Sequence, residues 1–176
     1  MTNNRWIAAV HEAAHGVVGF ELGGRVTGLG LAAIDGAGLA SVHDLCGSNH
    51  AIMTAAGAVS EYLADQHEAP QLLDVDVVAP EPVDPTDSEA SRFCFAVARA
   101  TIQPTHYQSD SRSIALWAIG GHEDDPSGWQ RRVSFVQRVA TDLVERNADR
   151  IVRLARELFV KGRLTRAEIE NLLKGA

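Results

Sequence analysis

An apolar helix is predicted near the N-terminus, and it carries three polar side chains that the fold has to accommodate. Its apolar positions recur at helical spacing over residues 4–22, and the pair GG at 23–24 ends it. Within this pattern the sequence HEAAH places His11, Glu12 and His15. A buried carboxylate beside two imidazoles is costly unless another group balances it. The stretch therefore predicts a buried polar site on the first helix.

The rest of the chain is predicted to be mostly helical, with one small sheet near the N-terminus. Hydrophobic periodicity, glycine-rich turns and helix-capping residues define the elements. Four of the six prolines fall within residues 70–86, which predicts a long loop there. In chain order we predict strands at 25–33 and 38–44, helices at 48–69, 87–102 and 109–121, one long or two abutting helices over 126–161, and a short helix opened by Thr165. The predicted class is mainly α with a small N-terminal β-sheet (α+β), in a single domain over residues 1–176.

Composition excludes several classes of function. The chain has 16 basic and 23 acidic residues, a net charge of −7, and no dense Lys/Arg run, so nucleic acid is not an expected partner. No stretch approaches the roughly 20 apolar residues that cross a bilayer, and the N-terminus lacks the pattern of a signal peptide. We therefore expect a cytoplasmic protein without membrane insertion. Cys46 and Cys94 show no CxxC spacing, which argues against a cysteine metal site.

The HEAAH sequence has the spacing of a metal site. Positions four apart lie on the same helix face, so His11 and His15 can bind one metal ion. Glu12 follows the first ligand, where a carboxylate can accept a proton from activated water. This is the HExxH arrangement of zinc peptidases, in which zinc polarises the scissile carbonyl and the glutamate is the general base. The motif predicts one Zn²⁺ per chain, bound by both histidines, with Glu12 as the catalytic base.

A catalytic zinc takes a third protein ligand and leaves the fourth position to water. A third histidine six residues after the motif is absent, because position 21 is glutamate. The leading candidates are Glu61, on the following predicted helix, and Asp87. Spacing alone does not choose between them. Further candidates are His43, Asp44, His50, Asp84 and His67.

Four segments are informative together: HEAAHGVVG, AAGAVSEYLA, TDSEASRFCFAVARA and the C-terminal LARELFVKGRLTRAEIENLL. In this order they resemble the HEAGHAVVG motif, the GGRAAEELVFG helix, the NDIERATEIARxM segment and the last helices of one proteolytic domain. That domain belongs to the FtsH-type metalloproteases, the membrane-bound AAA+ proteases. The resemblance covers essentially the whole chain and is weakest between residues 103 and 128.

The resemblance implies a zincin-like helical metallopeptidase fold and a specific site. It implies His11 and His15 as zinc ligands, Glu12 as the base and Asp87 as the third ligand. An aspartate that opens a helix suits this role, because the N-terminal amides hold its free oxygen. Glu61 would then orient a ligand imidazole without binding the metal itself. The resemblance also implies that substrate binds along an edge strand formed by Leu39, Ala40, Ser41 and Val42.

The chain also departs from the family pattern. Ala14 replaces the glycine of HEAGH, and one acid of the AEE motif is missing at Ser60. No GxxxxGK[ST] loop occurs, so we expect no ATP binding of that kind. The expected function is a soluble zinc metallopeptidase that hydrolyses peptides or unfolded segments without ATP, as a homo-oligomer or with a partner ATPase. Alternatives are a catalytically inactive zinc-binding adaptor of the same fold and a zinc hydrolase of non-peptide amides.

Overall fold

The computed structural model describes residues 2–32, 37–70, 108–120 and 126–174. These residues form seven helices and one three-stranded antiparallel sheet, so the predicted mainly α, α+β class is confirmed. The helices are α1 Thr2–Glu21, α2 Gly47–Ser60, α3 Tyr62–Gln66, α4 Gln108–Ile119, α5 Pro126–Arg146, α6 Ala148–Lys161 and α7 Arg166–Lys174. The strands are β1 Arg25–Leu31, β2 Gly38–His43 and β3 Arg163–Thr165.

Helix α1 is the centre of the hydrophobic core. It packs against α2, α6, β1 and β2, and alanine and valine side chains on several of its faces are fully buried. Such small side chains allow neighbouring helices to approach closely. At its start, the Trp6 indole packs edge-to-face on Phe159 with ring centroids 5.7 Å apart. The same indole N–H donates to the carbonyl of His67 at 2.9 Å, which ties α1 to the end of α3.

The sheet lies beside α1, with strand order β2-β1-β3. Leu29 in the central strand is opposite Ala40 on one side and Leu164 on the other. Leu29 and Leu164 are buried, whereas Leu39 on β2 is 68% exposed. In the described part of the chain β2 pairs with β1 alone, so its outer edge carries no strand.

One predicted helix is interrupted in the structure. The prediction of a single helix over 48–69 is wrong, because α2 ends at Ser60 and α3 begins at Tyr62. The Ser60 hydroxyl donates to the carbonyl of Gly57 at 2.7 Å, and the Glu61 N–H donates to the carbonyl of Ala58 at 3.4 Å. A serine hydroxyl that bonds back to the preceding turn competes with the helical hydrogen bonds. The break therefore has a local cause in Ser60.

The other helix predictions are largely confirmed. The first helix, the short helix at 109–121 and the break near Asn147 are observed, each within a few residues of the prediction. Thr165 and Glu168 form the predicted capping box, in which the Thr165 N–H donates to the Glu168 carboxylate at 2.9 Å. Strand β3 was not predicted, because three residues are too few to show an alternating pattern.

Part of the sequence prediction lies outside the described residues. This applies to the loop predicted beyond Pro70 and to the helix predicted at 87–102, with Asp84, Asp87 and Cys94. Within the described ranges, no helix combines the length and the apolar character needed to cross a membrane.

Candidate metal centre

Two imidazoles from α1 meet inside the core. His11 and His15 lie one helical turn apart and are 1% and 6% exposed. Their rings are nearly perpendicular, with centroids 4.6 Å apart, and their Nε2 atoms are separated by 3.0 Å. Because both rings are buried, their nitrogens need hydrogen-bond partners.

Those partners are Met53 in α2 and Glu61 directly after it, and they fix the orientation of both rings. His15 Nδ1 lies 2.8 Å from the carbonyl oxygen of Met53, and His11 Nδ1 lies 3.2 Å from Oε1 of Glu61. A carbonyl oxygen and a carboxylate oxygen only accept hydrogen bonds, so each ring carries a proton on Nδ1. In the neutral imidazoles both Nε2 atoms therefore present lone pairs to each other.

A carboxylate completes the group. Asp110, in the first turn of α4, places Oδ2 at 3.0 Å from His11 Nε2 and at 3.1 Å from His15 Nε2. These three ligand atoms form a nearly equilateral triangle, and this is a set of residues that could hold a metal ion. A carboxylate in the first turn also suits the positive end of the helix dipole.

Three converging acceptor atoms repel one another unless a proton or a metal ion lies among them. Tetrahedral ligands that bind zinc at about 2.0–2.1 Å are about 3.3–3.4 Å apart, close to the observed separations. Two imidazole nitrogens and one carboxylate oxygen are also ligands that divalent transition metals accept. The residues therefore fit a metal ion, and they would leave its remaining positions to water or substrate.

The electrostatics of the group point the same way. At His15 burial opposes the charged form, but the hydrogen bond and the charge of Asp110 outweigh it and raise the pKa to about 9. At Asp110 burial favours the neutral acid, yet hydrogen bonds from both imidazoles outweigh it and lower the pKa of that carboxyl. Near neutral pH the metal-free group therefore holds a proton between His15 and the Asp110 carboxylate, and a bound metal ion would displace that proton.

Glu12 lies beside this triangle. It is 6% exposed, and burial raises the pKa of its carboxyl group, while the two nearby imidazoles oppose the rise. Its side chain packs on the backbone of Gly38, the first residue of β2. A Cβ atom at Gly38 would lie 2.7 Å from Glu12 Oε1, so any larger residue there would displace the carboxylate. The glycine therefore allows the start of β2 to approach Glu12.

The structure brings together several residues predicted from the sequence. His11, His15 and Glu12 share one site, and Glu61 bonds the outer nitrogen of His11 rather than entering the ligand triangle. The predicted third ligand Asp87 lies outside the described residues. Of the other described candidates, His43 contacts Thr27 and Asp44 pairs with Arg25. Neither these two residues nor His50 and His67 belong to the possible metal-binding group found among the described residues.

Sequence reasoning missed Asp110. It lies in the segment SDSRSIALWAI, predicted as a short helix, and the segment TDSEASRF around Asp87 also places an Asp-Ser pair near a predicted helix start. Both segments therefore show an aspartate near a predicted helix start, and this pattern does not choose between them. Only the packing of α4 against α2 shows that Asp110 lies next to the histidines.

Substitution of the two aspartates distinguishes their roles. We expect Asp110→Ala to weaken zinc binding by more than about 100-fold, because it removes a ligand rather than an outer contact. We expect Asp87→Ala, the matched control, to bind zinc as the unmodified chain does. The measurement is zinc affinity by competition with a chromogenic chelator. Loss of zinc from Asp87→Ala alone would contradict the ligand set described above.

Substitution of Glu61 tests the outer support of His11. We expect Glu61→Ala to weaken zinc binding by about 10–100-fold, because His11 loses the partner that fixes its ring. Glu61→Gln keeps an accepting oxygen and should bind more tightly than Glu61→Ala. Glu68→Ala, at an exposed position nearby, is the control. Equal zinc affinity for Glu61→Ala and Glu68→Ala would show that Glu61 does not support the site.

Comparison with known proteins does not identify this site. No protein-family description matches the sequence, and neither the curated proteins nor the solved structures contain a match to the chain.

Proposed function

We propose that the chain is a zinc-dependent metallopeptidase that cleaves peptides or unfolded protein segments without ATP. The observation that carries this proposal is the convergence of three ligand atoms within 3.1 Å, beside a buried glutamate on the same helix. A catalytic zinc site has three protein ligands and an open position, which is the ligand number found here.

The chain supplies the groups that such a reaction needs. When bound, zinc supplies a Lewis acid that activates water and polarises a carbonyl group. His11, His15 and Asp110 would hold the ion, and Met53 and Glu61 would keep the imidazoles in place. Glu12 would take a proton from the attacking water on its carboxylate and deliver it to the leaving amine.

Burial of the site supports this division of roles. Both histidines and Glu12 are at most 6% exposed, and Asp110 is 22% exposed at the side chain. Water is therefore largely excluded from the ligands themselves, and charges interact more strongly in such surroundings. Glu12, the proposed general base, packs against the backbone of Gly38. This contact keeps its carboxylate close to the ligand triangle.

Strand β2 is the surface that we assign to substrate. It begins at Gly38, beside Glu12, and its outer edge carries no strand in the described ranges. An extended peptide can add to such an edge through main-chain hydrogen bonds, and its side chains are then read by neighbouring pockets. Leu39 follows Gly38 in β2 and is 68% exposed, so it would contact an apolar substrate side chain. Ala40, Ser41 and Val42 would continue the edge.

The resemblance to the FtsH-type proteolytic domain supports the same proposal. The segments that carry it include HEAAH on α1 and AAGAVSEYLA, which spans the end of α2 and the start of α3, and the two are in contact through His11 and Glu61. We propose on this basis that the fold is zincin-like. The third ligand differs from the one that the resemblance implies, because Asp110 rather than Asp87 supplies the carboxylate in our assignment.

A non-catalytic zinc-binding adaptor is the second candidate. A purely structural zinc site usually has four protein ligands and needs no base. Among the described residues, the group contains three ligands. This ligand number and the buried Glu12 favour the peptidase, and the two functions differ in a measurable way.

Peptide cleavage tests the proposal directly. We expect the zinc-loaded chain to cleave casein or a library of unstructured peptides, and we expect Glu12→Gln to lose at least about 100-fold in kcat while retaining zinc. Gln keeps the size of the side chain but cannot accept the proton. Removal of zinc with a chelator should abolish cleavage, and added zinc should restore it.

The outcomes separate the candidates. Zinc binding without any cleavage would favour the adaptor, and cleavage that Glu12→Gln does not reduce would contradict the role of Glu12. Cleavage of small amides but not of peptides would indicate a non-peptide hydrolase.

Substitution on β2 tests the substrate surface. We expect Leu39→Asp to lower kcat/KM for apolar peptides by about 10-fold, mainly through KM, because a charge replaces an apolar contact. The zinc content should not change. Val160→Asp, at a similarly exposed apolar position on α6, is the matched control. Equal kcat/KM values for the two variants would argue against β2 as the binding edge.

A further inference from the structure

Helix α2 and the residue that follows it, Glu61, place three residues spaced four apart next to the two imidazoles. The carbonyl of Met53 bonds His15, and the carboxylate of Glu61 bonds His11. Gly57 lies midway between them, on the same helix face. Because His15 meets the earlier residue and His11 the later one, α1 and α2 run antiparallel across the site.

Gly57 is an unusual choice for this position on grounds of helix formation. It lies in the interior of α2, within the sequence AIMTAAGAVS, where alanine is the common residue. Glycine is the poorest helix former after proline, and an isolated glycine in a helix usually has a packing or functional reason. Its backbone does not require glycine, because it is not among the residues with positive φ.

The reason lies in the space beside the ligand nitrogens. A Cβ atom at Gly57 would lie 2.6 Å from His15 Nε2 and closer still to His11 Nε2. Ordinary contact requires about 3.5 Å, so the carbon would have to move by about 1 Å. Both rings are buried, and their Nδ1 atoms are hydrogen-bonded to Glu61 and Met53. Neither ring can therefore rotate away from the added carbon.

We infer that Gly57 is a positioning residue of the metal centre, and this inference rests on the proposed zinc site. The missing side chain allows the α2 backbone to lie against both Nε2 atoms while Met53 and Glu61 bond the outer nitrogens. A retreat of α2 by about 1 Å would lengthen the 3.2 Å contact between His11 and Glu61 beyond hydrogen-bonding distance. A methyl group at position 57 would therefore disturb both imidazoles at once.

The first experiment compares zinc affinity in the full chain. We expect Gly57→Ala to bind zinc about 10–100-fold more weakly than the unmodified chain, the size typical of lost support for metal ligands. Helix content by circular dichroism should be equal or higher, because alanine favours the helix. Gly30→Ala is the control, since a Cβ there meets no atom within 4 Å, and it should bind zinc normally.

The second experiment measures the steric contact without metal. In the presence of a chelator, we expect Gly57→Ala to lower the urea midpoint of unfolding in the unmodified background. In the His11→Ala background the same substitution should lower it less, because the crowded ring is gone. This cycle also covers the case in which Gly57→Ala alone folds poorly, since the double variant then folds better.

The results distinguish this inference from the proposed function. Zinc affinity of Gly57→Ala within about 3-fold of the unmodified chain, or an equal loss of stability in both backgrounds, would overturn the inference alone. Failure of the unmodified chain to bind zinc would overturn the proposed function, and the role of Gly57 in a metal centre with it.

Discussion

Helices α1 and α2 approach each other closely enough for the α2 backbone to lie against the imidazoles of α1. This contact decides where the polar groups of the core find partners. Each buried imidazole costs free energy unless its nitrogens are hydrogen-bonded or bind a cation. Met53 and Glu61 satisfy the outer nitrogens, and the inner nitrogens converge with Asp110. Glycine at position 57 is a condition of this arrangement.

The third ligand depends on packing at a distance. Asp110 is 99 residues from His11 in the sequence, and it reaches the site because α2, α4 and α5 pack against one another. Ile114, Ala115 and Ala118 bury the apolar side of α4 in that contact. The candidate metal centre therefore takes its ligands from two helices, α1 and α4, and its geometry follows from the hydrophobic core rather than from one local motif.

The sequence predicted the helices and strands better than the tertiary contacts between them. Periodicity located α1 and strands β1 and β2, and HEAAH identified His11, His15 and Glu12 as a group. The sequence could not identify Asp110 as a ligand, because an Asp-Ser pair lies near the start of two predicted helices. Only tertiary packing distinguishes the two. The break at Glu61 depends on one serine hydroxyl, and β3 depends on pairing with β1. Interactions of this kind leave no periodic pattern in the chain.

The contact between Gly38 and Glu12 connects the site to the sheet. Strand β2 pairs with β1. In β1 the buried Leu29 lies opposite Ala40 of β2 and opposite Leu164 of β3. The first residue of β2 in turn lies against the carboxylate that would act as general base. A peptide added to the β2 edge that is unpaired among the described residues would thus be positioned by the strand that contacts the proposed base. Because α1 carries both the base and two ligands, a shift of β2 relative to α1 would change substrate position and proton transfer together. Binding and chemistry in the proposed enzyme therefore depend on one rigid contact between a strand and a helix.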